Sequence, residues 1–162
     1  MIINNKFGFT SGQSLVEVVV SIGIAVMLAI SLITTSLITQ KSSRSARNNS
    51  QATKLVQQTL EQLRVFRDRT GFSGLPSAPA TTICADFNIV DASNPSTWTF
   101  ASPAPACPYF ELVPNTIFSR QIEFLNQGAE KRLITVTVSW DESGQTRSVK
   151  SQTILGLWQG FP

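Results

Sequence analysis

From Val18 to Gln40 the chain carries no charged residue, and a single carboxylate, Glu17, stands at the head of that run. At about 1.5 Å of rise per residue these positions cover about 35 Å as a helix, enough to cross a hydrocarbon core of about 30 Å. The order of parts narrows the reading further. In a secretory leader the cleavage site follows an apolar core of about 7 to 15 residues, so the core departs with the leader. Here a short polar stretch containing Asn4, Asn5, Lys6, Thr10 and Ser11 and closing on Gly12 comes before the apolar run. A cut after Gly12 would therefore leave the helix on the mature chain.

The stretch Gly12-Gln13-Ser14-Leu15-Val16-Glu17 resembles the class III leader of type IV prepilins and of the pseudopilins of type II secretion. The resemblance implies that a prepilin peptidase cuts between Gly12 and Gln13, that the new amine of Gln13 is N-methylated, and that Glu17 is the glutamate at the fifth mature position. Gln13 departs from the phenylalanine most often found first in the mature chain, which leaves the extent of methylation open.

Glu17 also has a physical reading of its own. An ionised carboxylate in a low-dielectric layer costs at least a few kcal/mol, and such groups are commonly paired and functional. An amine freed at Gln13 would be a cation only about 6 Å up the helix axis. Neutralisation could come from the same chain or, as the pilin resemblance implies, from the amine of a neighbouring subunit. The plainer alternative is that Glu17 marks the polar end of an ordinary signal anchor at headgroup depth.

Within the run, Ser21, Ala25 and Ala29 recur every fourth residue and make a stripe of small side chains. Such stripes let helices approach closely in lipid, though small residues are also simply common in spans. Many type IV pilins carry a proline midway along this helix; here Ser31, Thr34, Thr35 and Ser36 stand instead. Hydroxyls that bond back to carbonyls bend a helix only gently, so a continuous helix is expected.

Charge is unevenly placed. The formal net charge is +3, yet residues 41–69 hold seven basic against two acidic residues and residues 70–162 hold five against seven. Lys41, Arg44 and Arg47 outweigh Lys6, and the positive-inside bias taken alone would place the C-terminal part in the cytoplasm. The prepilin resemblance implies the reverse, a single-pass protein of the cytoplasmic membrane with its C-terminal domain outside, and later a cell-surface or periplasmic filament. The basic stretch Lys41–Lys54 suits anionic headgroups, acidic patches on neighbouring subunits, or a solvated face. Nucleic acid fits least, because no aromatic residue lies between Lys41 and Arg64 to stack on bases.

Cys84 and Cys107 are the only cysteines, and bonding them would close a loop worth about 3 kcal/mol on the chain-entropy estimate. Two cysteines and no histidine make a poor metal site, since zinc sites commonly take four Cys or His ligands. A disulfide in an exported domain is expected, with two free thiols as the cytoplasmic alternative.

Beyond Lys41 the chain reads as a second, amphipathic helical half. Ala52, Leu55, Val56, Leu60, Leu63 and Phe66 share a face at spacings of three and four, with polar residues elsewhere. Its end is placed near Arg69 or Thr70, with Gly71 as the C-terminal cap and Arg64, Arg67 and Arg69 near the negative end of the dipole. One unbroken helix from Gln13 to Arg69 would be about 85 Å long. The Pro-rich region 72–108 reads as a long loop, in which Phe87–Val90, Trp98–Phe100 and, just beyond it, Tyr109–Val113 are short strands or aromatic anchors. An antiparallel meander follows: Phe118, Ile122 and Phe124; a turn at Asn126-Gln127-Gly128; the alternation Ile134, Val136, Val138, Trp140; a turn at Asp141-Glu142-Ser143-Gly144; and a last strand from Thr146 to Leu155.

The expected organisation is thus a leader (1–12), a membrane or filament-core helix (13–40), an amphipathic stalk helix (41–70) and an extracytoplasmic domain (71–162) with strands in 109–158. The fold class is α+β, a long N-terminal helix packed on a small antiparallel sheet, pilin-like. The C-terminal pattern is similar to that of PilV-type minor pilins. An enzyme is not expected: histidine is absent, and neither a phosphate-binding glycine loop nor a nucleophile elbow occurs. Catalytic residues, metal and cofactors are read as none. The partners implied are other pilin or pseudopilin subunits, prepilin peptidase, membrane lipid and the filament assembly machinery. The competing class is a signal-anchored binding module that does not polymerise.

Overall fold

The computed structural model describes residues 11–77, 82–91, 93–104, 107 and 110–157; for residues 11–14 and 102–104 it describes the backbone. Residues 1–10 of the expected leader, Pro79, Pro105, Pro108, Tyr109 and residue 158 lie outside the described set. The chain divides into two compact units, Met1–Arg44 and Ser45–Pro162.

A single helix, α1, runs Ser11–Thr70. It passes through the Ser31–Ser36 cluster unbroken, and three of the cluster's hydroxyls bond back to helix carbonyls. Ser31 donates to the Met27 carbonyl at 2.9 Å, Thr34 to Ile30 at 2.9 Å, Thr35 to Ser31 at 2.8 Å and Thr39 to Thr35 at 2.9 Å. It ends where the sequence places a glycine. Gly71 takes φ 82° and its N–H donates to the Arg67 carbonyl at 2.8 Å, closing the last turn in a conformation that a Cβ disfavours.

In the second unit, α1 packs on one six-stranded antiparallel sheet of order β2-β1-β4-β5-β6, with the short β3 on the same flank of β4 as β1. The strands are β1 Ile83–Asn88, β2 Thr99–Ala104, β3 Glu111–Leu112, β4 Ser119–Asn126, β5 Lys131–Glu142 and β6 Gln145–Gly156. The expected helix-on-sheet α+β architecture and the terminal meander β4-β5-β6 are both present. Ala52, Val56, Leu60, Leu63 and Phe66 of α1 are buried, as are Ile122 and Phe124 of β4 and Ile134, Val136, Val138 and Trp140 of β5. Leu55 is half-buried against the same core. At the C-terminal end of α1, Phe66 meets Phe87 and Phe100 edge-on at 5.9 and 5.0 Å, and Phe87 meets Trp98 at 5.7 Å. Each such pair adds about 0.5–1.5 kcal/mol beyond its buried area.

The turns follow their residues. Ser143 (φ 55°) and Gly144 (φ 76°) form the two-residue connection of the β5–β6 hairpin, the double positive-φ geometry that matches strand twist. Gly128 (φ 86°) turns β4 into β5. The strands run longer than the alternation alone indicates, so Asp141 and Glu142 lie in β5 opposite Thr146 and Gln145 and the turn contracts to Ser143-Gly144.

The region 72–108 is more ordered than a loop. It contributes β1 and β2, and β1 starts at Ile83, upstream of the expected Phe87. β2 includes Pro103, which is tolerated because β2 stands at the edge of the sheet among the described strands. β6 is the opposite edge, twelve residues long and free of proline.

Candidate functional site

The first unit presents an apolar rod. Every valine, isoleucine, leucine and methionine from Leu15 to Ile38 is 52–73% exposed, on all sides of the helix. This segment is a candidate membrane span by length and composition. A helix apolar all round belongs in lipid or in a protein interior. The hydroxyls of Ser31, Thr34, Thr35 and Thr39 are satisfied by the i−4 bonds described above, so these four add no orphan donor to an apolar layer.

Glu17 lies in the first turns of this rod and its side chain is exposed. Gly12 and Gln13 are helical in backbone, which puts Gln13 about 6 Å from Glu17 along the axis. Ser21, Ala25 and Ala29 are all exposed and, four residues apart on one helix, lie along one side. The hydroxyl of Ser21 donates to the backbone carbonyl of Glu17 at 2.8 Å. The structure thus brings Glu17 and the small stripe onto one helix.

Cys84 and Cys107 are joined as a disulfide, with Cα atoms 5.1 Å apart. Cys84 lies in β1, and the Cys107 carbonyl accepts a hydrogen bond from Gln121 Nε2 at 3.2 Å on β4. The bridge and this hydrogen bond therefore hold Cys107 itself against two strands. Their sulfurs and a Glu123 oxygen lie within 4.8 Å of one another, but with both sulfurs bonded together Glu123 is the one donor left.

Two cations, Arg132 buried and Arg120 part-buried, have no counterpart in the sequence reading. Arg120 of β4 pairs with Glu111 of β3 at 2.7 Å and donates to the Phe87 carbonyl at 3.0 Å and the Thr59 hydroxyl at 3.4 Å, tying β1, β3, β4 and α1 together. It borders a groove of about 210 Å³ with Leu55, Gln58, Gln62, Ile89 and Val113. Glu111, the one carboxylate there, is already paired, so the groove offers amides and apolar surface with no free base. Arg132 of β5 donates to the carbonyls of Phe72 and Leu75 and lies 4.4 Å from the Phe72 ring centroid. Burial lowers its pKa from the ordinary arginine value. Nothing in the alternation of β5 sets this arginine apart from a solvated one, since its role is to satisfy two carbonyls of a distant 3-10 turn, Phe72–Gly74.

The loop before β2 is held by Asp91. Its Oδ1 accepts from the Ser93 hydroxyl at 2.7 Å and the Ser93 N–H at 2.8 Å, and these bonds hold its carboxyl below the usual aspartate pKa. Its carbonyl accepts from Trp98 Nε1 at 2.6 Å. Trp98 is accordingly an anchor buried in the core.

No family model, curated protein or solved structure matches this chain, so its function is argued from its own residues.

Proposed function

We propose that this protein is a minor pilin or pseudopilin, a structural subunit of a type IV filament that waits in the cytoplasmic membrane and is drawn into the filament through its N-terminal helix. The observation that carries the reading is the rod at Leu15–Ile38, apolar and exposed on every side, headed by Glu17 and preceded by Gly12. A helix of this kind needs a lipid or protein environment on all its faces, and a filament core of packed identical helices supplies one. The Ser21, Ala25 and Ala29 side allows close helix packing. Glu17, costly in an apolar layer, is neutralised by the amine of Gln13 on a neighbouring subunit. The one reaction the chain takes part in is as substrate, at the Gly12–Gln13 bond. A pilus, a secretion pseudopilus and a DNA-uptake filament share this chemistry.

N-terminal sequencing of protein isolated from cells tests the reading. The expected result is a start at Gln13; an intact Met1 overturns it and leaves a signal-anchored module. Independently, Glu17→Val is expected to insert normally but to fall in sheared filament fractions by about tenfold or more, and undiminished incorporation removes the role given to the carboxylate. Tenfold corresponds to about 1.4 kcal/mol, well inside the cost of leaving a subunit's amine unpaired in an apolar layer.

A further inference from the structure

The uncharged part of α1 ends at Gln40, and Lys41 and Arg44 follow within one turn, both exposed. Among the described residues neither takes part in an ion pair; the pairs present join Arg64 to Glu61, Arg67 to Asp68 and Arg120 to Glu111. No acidic residue lies between Glu17 and Glu61 in the sequence. Two cations therefore stand side by side at the end of the uncharged run, with Arg47 one turn further along and no carboxylate nearby in sequence; the Glu142 carboxylate accepts from the Ser45 hydroxyl at 3.2 Å.

Their depth is set by the span. About 35 Å of uncharged helix exceeds a hydrocarbon core of about 30 Å by a few ångströms, so a helix that fills the core carries Lys41 and Arg44 into the headgroup layer. There the lysine stem lies along acyl chains while its ammonium reaches outward, and the planar arginine fork suits two phosphate oxygens at once. The two are about 4.5 Å apart along the axis, inside the screening length of about 8 Å at physiological salt, so they act on one lipid site.

We propose that Lys41 and Arg44 form a docking surface for the phosphates of anionic phospholipids at the margin of the span. The surface selects phosphatidylglycerol-type lipids over zwitterionic ones and enriches them around the subunit while it resides in the bilayer. This inference shares with the proposed function only the insertion of the helix in a membrane and is independent of cleavage and of filament assembly.

The test is lipid selectivity of the full chain reconstituted in phosphatidylcholine bilayers, read by electron paramagnetic resonance from spin-labelled phosphatidylglycerol and spin-labelled phosphatidylcholine. Phosphatidylglycerol is expected to associate more strongly by about fivefold for each cation that engages the lipid, and the preference is expected to shrink as salt is raised. The K41Q/R44Q variant is expected to bring the ratio to parity, whereas Lys54→Gln, thirteen residues after Lys41, leaves it unchanged. Equal association in the parent chain, or a preference that survives K41Q/R44Q, overturns the proposal. So does a variant that leaves the lipid ratio untouched but abolishes cross-linked self-association in pure phosphatidylcholine, which assigns the cations to acidic protein surface instead. Resistance to alkaline extraction, measured on the same samples, separates the failures: a chain that never inserts overturns the span itself, along with this surface, while N-terminal sequencing reports on maturation regardless of either lipid result.

Discussion

Arg132 shows how one side chain can serve the fold from an unpromising position. Its guanidinium fills the space between β5 and the Phe72–Gly74 turn and satisfies the carbonyls of Phe72 and Leu75. Methionine there keeps the volume but strands the buried Leu75 carbonyl, while the Phe72 carbonyl keeps the Leu75 N–H at 3.3 Å. Arg132→Met is expected to destabilise the protein by about 1–3 kcal/mol, the cost of one buried unsatisfied acceptor, with Arg132→Lys recovering only part because an ammonium lacks the planar face that lies 4.4 Å from the Phe72 ring centroid. Urea unfolding followed by circular dichroism reads the difference. Asp91 gives the residue-scale pH dependence. Its folded pKa lies below the unfolded value because the Ser93 bonds favour the carboxylate. The stabilisation they supply is therefore complete above the unfolded pKa, about 3.9, and is lost as pH falls through the lowered folded value. Local loosening around Ser93 and Trp98 is expected only at such acidic pH, seen as a shift of the Trp98 indole N–H resonance; Asp91→Asn should show that shift already at neutral pH.

Among the elements, the disulfide fastens the part of the chain with the least repetitive sequence. Replacing Cys84 and Cys107 together by serine is expected to cost about 2–4 kcal/mol and to loosen β1 and β2 first, detectable as faster amide exchange there than in β5. What was legible in the sequence follows the same division. The buried face of α1, its Gly71 cap, β5 and the turn residues Gly128, Ser143 and Gly144 each obey a local rule of period or backbone conformation, and they sit where that rule places them. β1 does not: Ile83-Cys-Ala-Asp-Phe-Asn is buried at Ile83, Cys84 and Ala85 in succession, and the register slips between Cys84 and Asp86, so it shows no alternation. β2 carries a proline and qualifies as a strand only because tertiary pairing leaves it at an edge. Thr59 is buried on the apolar face of α1, hidden from a polarity pattern because its hydroxyl turns back to the Leu55 carbonyl at 2.8 Å. The rod at Leu15–Ile38 is equally plain in the sequence, whereas the Arg120–Glu111 pair depends on β3 meeting β4 and leaves no trace in spacing.

For the molecule as a whole, the contrast between units has a direct consequence. The buried apolar core is drawn from residues between Ala52 and Leu155, all in the second unit, whereas the first unit's described apolar residues are exposed. Residues 45–162 alone are therefore expected to fold as a soluble monomer with cooperative unfolding, while the full chain requires detergent or lipid. Gel filtration and thermal unfolding of the shortened chain check this, and a molten or aggregated product would mean that the apolar segment is needed for folding.

The two flanks of the sheet differ in a way that reaches beyond stability. β2 carries Pro103, which withholds a backbone donor, and β6 carries Arg147 and Lys150 with no acidic residue, so a second β6 laid beside it meets like charge. Strand-by-strand accretion is thus hindered on one side by a missing donor and on the other by like charge. At high local concentration, such domains are therefore expected to crowd together without fusing into amyloid ribbons.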